Sequence, residues 1–177
     1  INVSGGNFQT SKFIIINEQN AGKMTLRGGT FNTTSSITIG NDSQMEITGS
    51  ANVTSSYTAD GRIVDNTATG TLTVSGGTIT AKGNSAAIQN VNGTINITGG
   101  RLTSQNQSTI TNQGTANISG NAYIQCSNYD QAALFNFGGT TTITGGTLKN
   151  TVSGGFALYR QGGTVYLRGG TATPNNL

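Results

Sequence analysis

A short phrase recurs along this chain: Gly-Thr, a few residues of alternating polarity, then Gly-Gly, as in Gly93-Thr94-Ile95-Asn96-Ile97-Thr98-Gly99-Gly100. The first glycine of the closing pair falls at Gly5, Gly28, Gly49, Gly76, Gly99, Gly120, Gly145 and Gly169, at spacings of 23, 21, 27, 23, 21, 25 and 24 residues. A period of that size marks a stack of similar units, each too small to bury its own apolar face. Two residues before the glycine stand Val3, Leu26, Ile47, Val74, Ile97, Ile118, Ile143 and Leu167, all aliphatic. One residue before it stand Ser4, Arg27, Thr48, Ser75, Thr98, Ser119, Thr144 and Arg168, all polar. Four before it the column is mostly apolar: Ile1, Met24, Met45, Leu72, Ile95, Ala116, Thr141 and Val165. Alternation of period two is the pattern of a strand with one buried face.

An inward residue returns after the glycines, at Phe8, Phe31, Ile79, Leu102 and Leu148. In two units the second glycine is replaced, by Ser50 and Asn121, and the apolar residue slips by one, to Val53 and Ile124. Ser50 and Asn121 are read as polar residues taking over a positive φ from glycine at a shifted bend. A third short strand follows at Ala86–Asn90, Ser108–Asn112, Ala132–Asn136 and Phe156–Arg160. Three strands per unit with short corners leave no room for a crossover helix, and no helical periodicity is present. The chain is therefore expected to be all-β, a right-handed parallel β-helix of about 7–8 coils of 21–27 residues with three short strands per coil. Coils about 4.8 Å apart give a rod roughly 35 Å long.

The phrases Gly70-Thr71-Leu72-Thr73-Val74-Ser75-Gly76-Gly77, Gly93–Gly100 and Gly139-Thr140-Thr141-Thr142-Ile143-Thr144-Gly145-Gly146 are similar to the degenerate repeats of pectate-lyase-like β-helices. More narrowly, they resemble the repetitive surface proteins and adhesins of Gram-positive bacteria, and the resemblance covers nearly the whole chain. It implies residues 1–177 as a single β-helix domain, a fragment of a longer repetitive protein at the bacterial cell surface. Ile1 opens in mid-repeat, and end coils at Ile1 and Leu177 would expose apolar core and unpaired strand edges. Neighbouring domains, capping segments or partner chains are expected there.

Charge narrows the possible partners. The net charge is +3, from nine basic and six acidic residues, with no Lys/Arg run, so no nucleic-acid partner is expected. The densest apolar run, Phe13–Ile16, is far too short to span a bilayer as a helix, so no membrane insertion is expected. The single cysteine, Cys126, cannot form an internal disulfide.

No catalytic constellation is legible. The carboxylates Glu18, Asp42, Glu46, Asp60, Asp65 and Asp130 are scattered over several coils, and His is absent, so neither a His-based dyad nor a His-ligated metal is expected, and no cofactor. The enzyme branches of this architecture carry clustered acidic residues, which this pattern lacks. Gly-Gly pairs at bends carry no phosphate-binding signature. Eight Asn-x-Ser/Thr sequons are no more than a chain this rich in those residues produces by chance. Asn41, Asn66, Asn90, Asn112 and Asn136 recur at the end of the third strand, as an amide ladder between coils or as sugar-binding groups. Thr on outward positions suits a strand surface, and the column Asn2, Thr25, Glu46, Thr73, Asn96, Asn117, Thr142, Tyr166 lacks the regularity an ice-binding face needs.

The aromatic distribution is the least bland feature. Tyr123, Tyr129, Phe135, Phe137, Phe156, Tyr159 and Tyr166 lie in the last third. With Leu134 and Leu158 inward, Phe135 and Tyr159 point outward in one column that runs Gln89, Thr111, Phe135, Tyr159. Two outward rings in register, with Arg160 and Tyr129 as neighbours, form the candidate ligand-binding set, for stacking on a sugar or a peptide. Packing against a loop, a cap or another domain is the structural alternative. The two longest coils carry extra residues at Ser55–Arg62 and Ser127–Gln131, each with a Tyr and an Asp. The expected function is a non-catalytic extracellular adhesin or scaffold module, with a host glycan, a surface protein or neighbouring domains of the same chain as partner. The alternative is a carbohydrate-active β-helix enzyme, a polysaccharide lyase or glycoside hydrolase.

Overall fold

A computed structural model describes residues 1–175 and, within the last strand, the side chains up to residue 173. The chain forms a parallel β-solenoid of about seven coils, three strands to a coil, with no helix among the described residues. Sheet A holds eight strands, from Asn2–Val3 through Thr94–Ile97 to Thr164–Leu167. Sheet B also holds eight, from Asn7–Thr10 through Arg101–Ser104 to Thr171–Asn175, and sheet C holds seven, from Ile15–Asn17 through Ser85–Asn90 to Phe156–Arg160. Every strand pairs in parallel with its counterpart one coil away, so chemically equivalent residues stack in columns.

The first of those columns is the one read from the sequence. Val3, Leu26, Ile47, Val74, Ile97, Ile118, Ile143 and Leu167 are consecutive register partners in sheet A. Leu26 to Ile118 are fully buried and Ile143 is 2% exposed. Burying such a side chain contributes roughly 1.5–3 kcal/mol. The sheet B column Phe8, Phe31, Val53, Ile79, Leu102, Ile124 and Leu148 is likewise continuous, including both slipped positions. At the ends the columns open to solvent, with Ile1 and Phe8 exposed at one and Leu167 at the other. Leu177 lies outside the described residues.

The bends between sheets A and B correct one expectation. Where Gly-Gly is intact, the second glycine takes the positive φ, as at Gly77 (+73°) and Gly100 (+79°). In the two substituted coils it is the first glycine that does so, Gly49 and Gly120 at +60°, and neither Ser50 nor Asn121 takes a positive φ. Ala51 N–H donates to Thr48 O and Ala122 N–H to Ser119 O, closing a tight turn one residue longer than the Gly-Gly bend. The left-handed conformation stays with glycine, which has no Cβ to strain, and the extra residue carries Val53 and Ile124 back into the column.

The corner between sheets C and A carries the amide ladder. Asn17, Asn41, Asn66, Asn90, Asn112 and Asn136 each donate from Nδ2 to Oδ1 of the next, at 2.7–2.9 Å, until Asn136 turns to Gly162 O. The same amides reach the turn that follows, Asn66 to Gly70 O and Asn90 to Gly93 O. Asn41, Asn66, Asn90, Asn112 and Asn136 are fully buried, so the ladder is structural and closed to a sugar. Asn17 extends it by one rung beyond the positions singled out in the sequence.

A second, mostly polar column lies at the corner between sheets B and C, formed by Thr10, Thr33, Ser55, Ser104, Cys126 and Asn150 in register and interrupted by Ala81. Thr33 Oγ1 donates to Lys12 O and accepts from Ser35 N–H, and Ser104 Oγ donates to Ser85 O and accepts from Gln107 N–H. Each hydroxyl thus satisfies backbone groups that a sharp corner would otherwise orphan. Cys126 takes the serine role, its Sγ donating to Gln107 O at 3.4 Å, and burial pushes its thiol above the usual range. Native Cys126 should therefore resist iodoacetamide at neutral pH and react only once denaturant unfolds the chain. Cys126→Ser should shift stability by less than about 1 kcal/mol, because serine makes the same bond. A loss above about 3 kcal/mol in urea denaturation would mean that Cys126 does not act as a serine surrogate.

Candidate functional site

Sheet C departs from simple alternation, and that departure builds the site. Its strands carry two consecutive inward residues: Ile63-Val64, Ala87-Ile88, Thr109-Ile110 and Ala133-Leu134 are all fully buried. Residues three apart, rather than two, therefore share the outer face. Arg62 and Asp65 meet there, Nη2 to Oδ2 at 3.2 Å. Phe156 and Tyr159 meet there too, with ring centroids 5.1 Å apart. Strict alternation would have sent Phe156 inward.

Phe135 and Tyr159 are register partners and stack, centroids 5.3 Å apart at 23°. Phe137 adds an edge contact to Phe135 at 5.8 Å. Tyr159, Phe156 and Phe137 are 43–45% exposed and Phe135 is half-buried, so the cluster reaches solvent, and no loop among the described residues covers it. Exposed rings gathered on one face of a regular scaffold are the kind of patch that marks an interaction surface.

The other two candidate residues stand apart from the rings. Tyr129 is 61% exposed in the turn between the strands Tyr123–Cys126 and Ala132–Asn136, its ring lying against the bare backbone of Gly154. No ring contact joins it to the cluster among the described residues. Arg160 is the register partner of Asn136, and its Nε donates to Gly163 O at 2.8 Å. That bond repeats the one Asn136 makes to Gly139 O, so Arg160 occupies the ladder position of its coil, with an exposed guanidinium at the corner.

Toward the N-terminal end the same face becomes polar. A shallow groove of about 220 Å³ is lined by Asp60, Gly61, Arg62, Ala86, Gln89, Gln107 and Thr111. Gln89, Thr111 and Phe135 are consecutive register partners, which makes groove and ring cluster one continuous face. Asp60 comes from the first of the two long loops, and its Oδ1 accepts from Asn84 Nδ2 at 2.6 Å and Gln107 Nε2 at 3.1 Å. Arg62 Nε and Asp65 Oδ1 are buried without a hydrogen-bond partner. The column Gln89, Thr111, Phe135, Tyr159 was legible in the sequence, whereas Asp60, Arg62, Gln107 and Phe156 join it only through loop reach and the double inward step.

The remaining carboxylates lie elsewhere. Glu46 stands on sheet A, where the Lys23 ammonium, 2.8 Å away, holds its carboxyl below the usual range. Asp42 accepts from Thr67 near the C–A corner, and Glu18 and Asp130 are exposed in separate turns. No three Asp, Glu or Cys side chains gather in a metal-binding group among the described residues. No protein-family model, curated protein or solved structure matches this chain.

Proposed function

We propose that this chain is a non-catalytic adhesin or scaffold module of an extracellular bacterial surface protein, binding a host glycan or surface protein through the outer face of sheet C. The observation that carries the reading is the stack of half-buried Phe135 on exposed Tyr159, extended by exposed Phe156 and Phe137. Exposed rings in register lower solubility, and a ligand face that covers them supplies a reason for their presence. The resemblance of the Gly-Thr…Gly-Gly repeats to Gram-positive surface proteins supports the bacterial cell surface as the setting. A ladder-locked solenoid suits presentation, because side chains held on stacked strands keep a fixed spacing.

A glycan array probed with the wild-type chain and with the double variant Phe135→Thr, Tyr159→Thr tests the reading. Neither residue belongs to the inward columns, so the circular dichroism spectrum should be unchanged. Binding should fall at least about tenfold, the scale of two lost aromatic contacts. Binding that survives the double substitution unchanged would leave only the scaffold reading.

A further inference from the structure

We propose that the outer face of sheet C is a single track for an uncharged, linear oligosaccharide, with one sugar ring seated on Thr111 between Phe135 and Gln89. The inference rests on the glycan arm of the function proposed above and names its ligand class and its seat.

The seat follows from the column. Tyr159 covers the face of Phe135 that looks toward the C-terminal coil. The opposite face of Phe135 looks over Thr111, its register partner, and Thr111 in turn pairs with Gln89. Gln89 and Phe135 thus stand two coils apart, about 10 Å at the usual strand spacing, with only a threonine between them. An opening floored by a small side chain and walled by a ring face on one side fits the apolar C–H face of a pyranose.

The polar half supplies what hydroxyls need. The Asp60 carboxylate is held by Asn84 and Gln107 through one oxygen, which leaves its second oxygen and Gln107 Oε1 as acceptors beside the groove. Gln89 brings a further amide, able to donate and accept. From Asp65 to Tyr159 the column takes four coil steps, roughly 19 Å, long enough for a chain of several sugars and too long for one.

Charge selects among glycans. Arg62 is neutralised by Asp65, so Asp60 leaves one uncompensated negative charge at the groove. Uronate or sialate chains would be repelled there, whereas neutral chains would not. Binding by hydroxyl contacts and stacking is also expected to be insensitive to salt.

The test is calorimetry and protein-observed NMR with cellotetraose, chitotetraose and mannotetraose as neutral probes and tetragalacturonate as the acidic comparator. At least one neutral probe should bind and shift the side-chain amide signals of Gln89 and Gln107, and tetragalacturonate should not. Gln89→Ala with Gln107→Ala should weaken that binding about tenfold. Thr111→Phe is the decisive variant: it prolongs the aromatic column on a half-buried, outward-facing position while filling the seat, so it should abolish binding with the fold intact. Binding retained or improved by Thr111→Phe, yet lost with Phe135→Thr and Tyr159→Thr, would overturn the track while leaving the aromatic surface as the binding face. If none of the neutral probes binds, or if only tetragalacturonate does, the proposal is wrong. Neutral-probe binding that ignores both Thr111→Phe and the ring substitutions would remove the aromatic face as well.

Discussion

Gly114→Ala is expected to destabilise the solenoid by about 3 kcal/mol or more, the upper end of what overpacking costs, whereas Gly40→Ala leaves it unchanged or slightly more stable. A Cβ on Gly114 would lie 2.2 Å from Gly93 O and 2.7 Å from Gly93 N, backbone atoms of the coil beneath. Neither can yield, because Gly93 O is the acceptor for Thr115 N–H at 2.8 Å and anchors the start of the sheet A strand. The same crowding repeats down the corner: Gly93 against Thr67 O at 2.2 Å, Gly139 against Gly114 O at 2.0 Å. None of these three has a positive φ, so their requirement for glycine is one of space between coils and not of backbone conformation. Gly40 also lacks a positive φ, and a Cβ there would meet nothing within 4 Å. Removing its unfolded-state freedom should contribute roughly 0.4–1 kcal/mol. Urea denaturation of both variants decides the matter: equal midpoints would refute the steric account of this glycine column.

The second large effect is expected at the centre of the amide ladder. Asn112 donates to Asn136 Oδ1 and Gly114 O, and accepts from Asn90 Nδ2 at 2.8 Å and from Gly114 N–H at 3.2 Å. Asn112→Leu keeps the branched heavy-atom skeleton, puts two bulkier methyl groups in place of the amide, and removes every one of these bonds inside a fully buried corner. Asn136 Oδ1 retains Thr141 Oγ1 and Asn90 Nδ2 retains Gly93 O, so the loss is concentrated on Gly114 N–H and on the amide-to-amide bonds. At about 1–3 kcal/mol for each buried group left unpaired, the expected destabilisation is roughly 2–5 kcal/mol. Asn17→Leu removes only the bonds to Asn41 Oδ1 and Gln44 O at the end of the ladder, and should lose less than half as much. A circular dichroism melt series along the ladder should therefore show a maximum in the middle coils. Equal losses at Asn17 and Asn112 would show that the rungs act singly and not as a connected network.

By itself the sequence determined the solenoid. Period-two alternation in sheets A and B is a property of a single strand: Leu72-Thr73-Val74 faces in, out and in whatever lies above or below it. The glycine spacing fixed the coil length, and the recurrence of Asn41 through Asn136 marked the ladder. The outward pairing of Phe135 with Tyr159 followed from the same counting. Tertiary structure alone decided what depends on neighbours one coil away, more than twenty residues distant in the chain. The double inward step of sheet C, which brings Phe156 to Tyr159 and Arg62 to Asp65, shows locally only as adjacent apolar pairs such as Ile63-Val64 and Ala133-Leu134, and a pair alone does not say that both members face inward. That Gly49 rather than Ser50 takes the positive φ depends on how an extra residue closes a turn over the coil below. The need for glycine at Gly93, Gly114 and Gly139, and the placing of Cys126 among buried hydroxyls, arise from the few ångströms between stacked backbones. Those distances are set only when the coils close on one another.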